Sequence, residues 1–453
     1  MVINKIICSV LLLFCAAGSG YAQFESDYTP LKYSSSGFKP GESAFYKKLN
    51  VKFHTDDATT IKKYKQYLYQ LQVAYANGSK DKQYIEEPFM TTYLQKVLDT
   101  IVRANQLKDK YQVVCTRYLV PNAFNLGDNR LYVNIALLEL LHNEAELAFL
   151  LSHELSHQLL QHVQDTYIEN DRRSRDKSLK KEIRDINKAR YNKLDRSFQF
   201  MKNSQYDYAR HSRAQEKAAD SMAVILMQHT PYSLQASKTL LEILDHTDED
   251  STHIDYSPYL AKNGTALPAR WTQEGQKKIT FGNHSEMELD KDSSKTHPDI
   301  PLRKKMVDTV LTALNAAKGL DFLQPEKSFD SVRNASRFEV IEAYMKRKRY
   351  GAVVYFSLRL LKQYPENKYL YKQVALALNE LNKAIAKHTV QNYLPIESDD
   401  FSEGYNHLLR IIDRTTATEF EELLRNYMNS NYHRISSISE IQSIHNELSA
   451  KNK

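Results

Sequence analysis

Apolar side chains recur at helical spacing along much of the chain, which predicts a mainly α-helical protein. One such stretch runs from Pro88 to Ala104 and reads as an amphipathic helix. Its apolar positions, three and four residues apart, are Tyr93, Leu94, Val97, Leu98 and Ile101. Further helices are expected from about Ser212 to His229 and, in pairs, from Ser336 onward.

A different pattern separates the first of these helices from the next. Residues 111–120 alternate and are rich in β-branched side chains, as in a strand. The turn residues Gly127-Asp128-Asn129 follow, and then a short apolar run from Leu131 to Val133. This order predicts a hairpin-like pair of strands. The chain is therefore expected to be mainly α with a small β-sheet, an α+β protein.

The helix after these strands has clear end signals. Asn143 is a plausible N-cap, and Glu146 stands three residues later, as a capping box requires. The helix should run from Glu144 to about Gln161. Its apolar face is formed by Leu147, Leu150, Leu151, Leu155 and Leu159.

Charge excludes one class of function. The net charge is +7 over 453 residues, and acidic residues are mixed with basic ones almost everywhere. The most charged run, residues 163–210, carries both signs and is expected to be a solvated helical arm. Without a dense basic patch and interleaved aromatic residues, no nucleic-acid partner is expected. Peripheral contact with an anionic membrane surface stays open.

The first 22 residues have the pattern of a signal peptide. Lys5 supplies a positive charge, Ile6–Phe14 form a short apolar run, and Gly20 and Ala22 are small residues before a cleavage site. A run of nine residues is too short to span a bilayer. Export to the periplasm or medium of a Gram-negative-type bacterium is therefore expected. A lipoprotein anchored at Cys15 is the less favoured alternative, because bulky Phe14 precedes that cysteine.

The candidate chemistry is concentrated in His153-Glu154-Leu155-Ser156-His157. Histidines four apart lie on one helix face, where both imidazoles can bind one zinc ion. Glu154 projects to the side and could take a proton from a zinc-bound water, whose pKa the metal lowers to about 7. A chance match is disfavoured because the surrounding helix is apolar, and buried polar groups without partners are costly.

A catalytic zinc site needs a third protein ligand. His162 follows the motif without an intervening glycine and is expected to cap or pack the helix end. Glu216, on the second predicted helix, is the better candidate for the third ligand. Asp220 lies one turn further and could accept the free N–H of a liganding histidine. The alternative is an ordinary charged helix, in which the two carboxylates would repel each other mildly.

Together these segments resemble the zinc metallopeptidases that include HtpX and the CAAX prenyl endopeptidases, especially an exported branch with a tetratricopeptide (TPR)-like tail. The resemblance covers about residues 88–307. Besides the zinc motif it rests on Pro121-Asn122-Ala123-Phe124, Asn143-Glu144-Ala145-Glu146-Leu147-Ala148, Ser212-Arg213-Ala214-Gln215-Glu216 with Ala219-Asp220, and Thr296-His297-Pro298 with Arg303. The sequence departs from the family where a glycine pair is usual, since Gly127-Asp128 stands there.

The resemblance implies roles for individual residues. The zinc ligands would be His153, His157 and Glu216, with one Zn²⁺ per chain and Glu154 as general base. Asn122 and Ala123 would belong to an edge strand that binds substrate backbone. His297 and Arg303 would act near the catalytic centre, and His297 could either stabilise the oxyanion or cover the zinc in a resting state.

The expected organisation follows from the resemblance. Its parts are a signal peptide at 1–22, a helical leader at 23–85, a zincin-like metallopeptidase domain at 86–315 and a helical TPR-like domain at 316–453. Residues 163–210 and 247–295 would be insertions, the first a charged helical arm and the second a loop. The TPR-like pattern rests on Tyr344, Tyr350, Ala352, Phe356, Leu360 and Pro365.

The expected function is zinc-dependent endopeptidase activity on envelope proteins, in protein quality control. Its partners would be protein or peptide substrates, with an envelope protein bound through the C-terminal domain. In a second hypothesis, the chain is an assembly factor that acts through its helical tail with little or gated proteolysis. In a third, the zinc is purely structural, with His297 as a fourth ligand.

Overall fold

The computed structural model describes ten stretches of the chain, residues 24–32, 57–80, 83–177, 180–181, 184–185, 213–246, 254–272, 300–314, 319–398 and 401–450. These stretches fall into two compact units that interleave along the sequence. The sheet unit contains residues 32–245 and 282–332. The helical unit contains residues 1–31, 246–281 and 333–453.

The sheet unit is built around four short strands. These are β1 (Tyr84–Ile85), β2 (Gln112–Thr116), β3 (Ala123–Asn125) and β4 (Arg130–Asn134). Their spatial order is β1-β2-β4-β3, with β2 and β4 parallel and both outer pairs antiparallel. β3 therefore forms one edge of the sheet.

The expected hairpin is only partly correct. The strand that begins at Gln112 and the strand that ends at Asn134 pair in parallel, so they do not form a hairpin. The antiparallel hairpin is β3–β4, closed by the tight turn at Gly127. The apolar pattern did not predict β3, because three residues are too few to show alternation, although the family resemblance placed Asn122 and Ala123 in an edge strand.

The helices, in chain order, are α1 (Ala58–Lys80), α2 (Pro88–Ala104), α3 (Ile135–Leu138), α4 (Glu144–Leu159), α5 (His162–Arg175), α6 (213–228), α7 (Ala236–Asp245), α8 (Ser257–Leu260), α9 (Ala269–Thr272), α10 (Ile300–Ala313), α11 (Glu326–Lys346), α12 (Tyr350–Leu361), α13 (Lys368–Ala386), α14 (Glu403–Arg414), α15 (Ala417–Ile435) and α16 (Ser439–Ala450). Short 3₁₀ turns occur at Lys262–Gly264 and Val390–Asn392. The protein is thus mainly helical with a small mixed sheet, as expected. None of the described helices is both long enough and apolar enough to cross a membrane.

Helix α4 lies at the centre of the sheet unit. Every residue from Glu144 to Ser156 is buried. Asn143 caps the helix, since its side chain accepts a hydrogen bond from the backbone N–H of Glu146 at 2.9 Å. The Glu146 carboxylate accepts the N–H of His142 at 2.6 Å, one residue before the position that a capping box uses. The helix that carries the zinc motif is therefore held rigidly at its start.

A buried carboxylate fixes this helix to its surroundings. Glu144 is fully buried and accepts hydrogen bonds from the hydroxyls of Tyr93 and Tyr232. The backbone N–H groups of Leu323 and Gln324 also donate to it, both at 3.3 Å. Four donors from three separate parts of the chain thus meet at one side chain.

The units cut across the consecutive domains expected from the sequence. In the expected leader, residues 24–31 belong to the helical unit, whereas α1 belongs to the sheet unit. Residues 254–272, in the expected loop insertion, contain α8 and α9 and belong to the helical unit. There Tyr256 donates a hydrogen bond to the carbonyl of Gly404 at 2.7 Å, a contact of a kind that chain order alone cannot predict.

The structure describes three other expected regions only in part or not at all. The expected charged arm is helical over α5, and most of residues 176–210 lies outside the described residues. The expected signal peptide, residues 1–22, also lies outside them. Helices α11–α16 form the expected helical C-terminal region, and its TPR-like character stays a prediction.

The glutamate at the start of α4 should be a major source of stability. In Glu144→Gln, an amide donor would face hydroxyl and N–H donors, so the free energy of unfolding should fall by about 3 kcal/mol. Urea unfolding followed by circular dichroism measures this loss. The control Glu326→Gln changes an exposed first-turn glutamate and should shift the value by less than about 0.5 kcal/mol. Equal effects of the two substitutions would contradict this account.

Candidate metal centre

Two histidines of α4 face each other across one helical turn. Their Nε2 atoms are 3.1 Å apart. His153 is buried, and the His157 side chain is 13% exposed, so one side of the pair borders solvent. The four-residue spacing in the sequence produces this arrangement directly.

Helix α6 brings a carboxylate to the same point. Glu216 is buried, and its two oxygens lie 3.4 Å from Nε2 of His153 and 3.4 Å from Nε2 of His157. Ligand atoms of the three residues all lie within 4.8 Å of one another. The predicted convergence of a downstream glutamate on both imidazoles is present in the structure.

Asp220 orients the first histidine from behind. Its carboxylate lies 2.9 Å from Nδ1 of His153 and is fully buried. When a metal binds Nε2, this contact would keep the proton on Nδ1. Burial alone would lower the pKa of His153, but hydrogen bonds to Asp220 and Glu216 raise it to about 10. The carboxylates thus favour a positive charge at this point.

Arg303, on α10, joins the two carboxylates. Its Nε and one Nη donate to Asp220 at 2.7 and 2.8 Å, and the other Nη lies 3.1 Å from Glu216. Burial would raise the pKa of Asp220, but the neighbouring Arg303 and His153 lower it to about 2. The guanidinium therefore keeps Asp220 ionised and holds both carboxylates in place.

His162 has a contact that the sequence did not reveal. Gln161 adopts a left-handed conformation with φ 58°, which reverses the chain and starts α5. This turn places Nδ1 of His162 2.9 Å from Nδ1 of His157. Burial and nearby His157 lower the pKa of His162 to about 4, so its neutral ring can accept the N–H of His157. The only sign of this contact in the sequence is the presence of a third histidine, His162, nine positions after His153.

Glu154 follows His153 directly on α4. It is buried and lines a small pocket together with His153 and Arg303. Ala123, the first residue of edge strand β3, and the preceding Asn122 also line this pocket. The rest of the lining is apolar and comprises Leu137, Phe149, Leu150, Leu240, Leu241 and Leu244.

The structure therefore brings together most of the residues singled out in the sequence. His153, His157, Glu216, Asp220 and Arg303 form one connected cluster. Asn122 and Ala123 line the same pocket as Glu154. His297 lies outside the described residues.

The donor set fits zinc. Two imidazole nitrogens and one carboxylate are the ligands of many catalytic zinc sites, which keep a fourth position open. Ligand atoms about 2.05 Å from a tetrahedral zinc are roughly 3.3 Å from each other. The 3.1, 3.4 and 3.4 Å separations at this site agree with that geometry.

A comparison with known families agrees with the chemistry of the site. Residues 88–310, just under half of the chain, match Peptidase family M48. Members of this family are zinc metallopeptidases. The match therefore supports the M48 zinc metallopeptidase family for this chain and indicates a metallopeptidase, a hydrolase. None of the curated proteins compared with the sequence matches it.

The buried Asp220 should make the metal-free protein sensitive to acid. Its folded-state pKa of about 2 lies below the ordinary value of 3.8, so its stabilisation is complete above pH 4 and is lost as the pH falls toward 2. In Asp220→Asn, the free energy of unfolding at pH 7 should fall by about 3 kcal/mol, because the buried Arg303 loses one of its two charged partners. Chemical unfolding at several pH values measures the difference.

The difference in free energy of unfolding between the unmodified chain and Asp220→Asn should become smaller between pH 4 and pH 2, because Asp220 becomes protonated there. A gap that stays constant from pH 7 to pH 2 would contradict the assignment of this stabilisation to the ionised Asp220.

Proposed function

We propose that the protein is an exported zinc-dependent endopeptidase that hydrolyses peptide bonds of envelope proteins. One observation carries the proposal: ligand atoms of His153, His157 and Glu216 converge on one point, and Glu154, the residue after His153, lines a small pocket beside them. The match to Peptidase family M48 supports the same chemistry. Bound zinc would lower the pKa of a coordinated water to about 7 and polarise the substrate carbonyl.

Glu154 is the general base in this proposal. Its carboxylate borders the pocket on the same helix as both imidazoles, so it can take a proton from the attacking water. The same carboxyl group can then pass that proton to the leaving amine. Water exclusion by the apolar lining would strengthen this proton transfer.

The remaining ionisable residues position the ligands. Asp220 holds the tautomer of His153, and His162 holds that of His157, so that both Nε2 atoms face Glu216. Arg303 restrains Glu216 and Asp220 together. A ligand set fixed in this way loses little conformational entropy when the metal binds.

The edge strand and the pocket indicate how a substrate would lie. An extended peptide can add to β3 at Asn122 and Ala123, which places its backbone beside Glu154. A side chain next to the scissile bond would enter the leucine-lined part of the pocket. The enzyme should therefore prefer an apolar residue at that position.

Export and envelope substrates complete the proposal. They rest on the signal-peptide pattern of residues 1–22, which lie outside the described residues, and on the resemblance to an exported branch of the family. The helical C-terminal region would bind an envelope protein partner. His297 would lie near the zinc and either assist catalysis or close the site at rest.

Removal of the general base should abolish turnover without loss of the metal. Glu154→Gln should lower the rate of casein cleavage about 10²- to 10⁴-fold, because the amide cannot accept the proton. Zinc content, measured by atomic emission on the purified protein, should stay at one per chain. A variant that kept more than a tenth of the activity would overturn the catalytic assignment and favour a binding or assembly role.

Removal of the third ligand should instead abolish metal binding. Glu216→Ala should lose both zinc and cleavage, because two imidazoles alone hold zinc weakly. The matched control Lys217→Ala changes the exposed neighbour on the same helix and should keep both. Full zinc content in Glu216→Ala would show that the ion binds elsewhere.

A further inference from the structure

A short segment near the start of the chain is packed into the helical unit. Residues 24–26 form one helical turn, and residues 27–32 have no regular secondary structure. Phe24 and Tyr28 are buried, with 5% and 4% of their surface exposed. The side chains between and just after them, at Glu25, Ser26, Asp27 and Thr29, are exposed. The segment therefore contacts the unit through two aromatic residues four positions apart.

These two rings pack against rings of two helices. Tyr28 stacks on Phe338 of α11 with 4.5 Å between centroids and meets Tyr369 of α13 edge-on at 5.3 Å. Phe24 lies 5.5 Å from the same Phe338 ring. Contacts of this kind add to the hydrophobic contribution of the buried rings.

Polar contacts define the path of the segment between the rings. Glu339, fully buried, accepts hydrogen bonds from the Tyr28 hydroxyl at 2.8 Å and from the backbone N–H of Leu31 at 2.6 Å. Asn367 donates to the carbonyl of Phe24 at 2.7 Å. With its other amide atom Asn367 caps α13, accepting the N–H of Leu370 at 3.1 Å.

We propose that Phe338, Glu339, Asn367 and Tyr369 form a peptide-binding site for protein segments with two aromatic residues four positions apart, the second a tyrosine. We call it the aromatic site. Residues 24–31 occupy it as an intramolecular ligand, and a segment of the same chemistry in a partner protein displaces them.

The contacts have the properties of peptide recognition. The site binds two aromatic rings and one tyrosine hydroxyl of the segment, which are side-chain groups. Glu339 and Asn367 each also bind a backbone group. The backbone contacts give affinity for any sequence, and the rings and hydroxyl give selectivity. Glu25 and Thr29 are exposed, so packing does not restrict the side chain at these two positions. The site does not depend on zinc or on proteolysis.

The test uses the full chain and a synthetic peptide. In the double variant Phe24→Ser with Tyr28→Ser, the intramolecular ligand loses both rings, so the aromatic site becomes accessible. A fluorescent peptide with the sequence of residues 24–32, Phe-Glu-Ser-Asp-Tyr-Thr-Pro-Leu-Lys, should bind this variant saturably in fluorescence anisotropy. Its affinity for the unmodified chain should be at least about tenfold weaker, because the tethered segment competes at high effective concentration.

Two controls define the contacts that matter. The double variant Glu25→Ala with Thr29→Ala changes exposed positions of the same segment and should behave like the unmodified chain. A peptide with phenylalanine in place of the tyrosine should bind the opened variant about tenfold more weakly, because the bond to the Glu339 carboxylate is lost.

A second measurement covers the case in which the opened variant fails to fold. In the unmodified chain, excess unlabelled peptide should accelerate hydrogen exchange at the backbone N–H of Leu31, which donates to Glu339. A folded opened variant that does not bind the peptide, or that binds a scrambled peptide equally well, would overturn the proposal. So would an unfolded variant together with unchanged exchange at Leu31, because the segment would then be a fixed part of the core.

Discussion

The arrangement of the candidate metal centre depends on one buried charge imbalance. Glu216 and Asp220 are both buried carboxylates, and Arg303 is the one buried guanidinium that contacts them among the described residues. With neutral histidines, these three residues taken by themselves carry one negative charge without a counterpart, and burial of such a charge is expensive. A cation between the imidazoles and Glu216 removes the imbalance. Without a metal ion, a proton on His153 supplies the positive charge instead, which is why the pKa of His153 is raised to about 10.

The sequence predicted the local parts of this centre well. The spacing of His153 and His157 determines their geometry within one helix, and the Asn143 cap is equally local. The pattern of the second helix suggested Glu216 and Asp220, and the resemblance to a known family then implied Glu216 as the third ligand. The roles of Arg303 and His162 were harder to foresee, because they depend on how α10 and the left-handed turn at Gln161 approach α4. Contacts across such distances leave no periodic signal in the sequence.

In the fold, too, the local features were predicted and the long-range contacts were not. Helix and strand types followed from the pattern of apolar residues, and the mainly helical class was correct. The parallel pairing of β2 with β4 was not predicted, because the intervening residues look like a simple turn. The placement of residues 24–31 and 254–272 in the helical unit was also missed. Both stretches are short and contribute one or two buried rings each, which chain order does not reveal.

The central claim is that His153, His157 and Glu216 bind one zinc ion. X-ray absorption and anomalous diffraction at the zinc edge, on protein purified with its metal, test it most directly. The account predicts one zinc per chain, with two imidazole nitrogens and a carboxylate oxygen at about 2.0–2.2 Å. An anomalous peak away from these three residues, or a zinc that Glu216 does not coordinate, would contradict it.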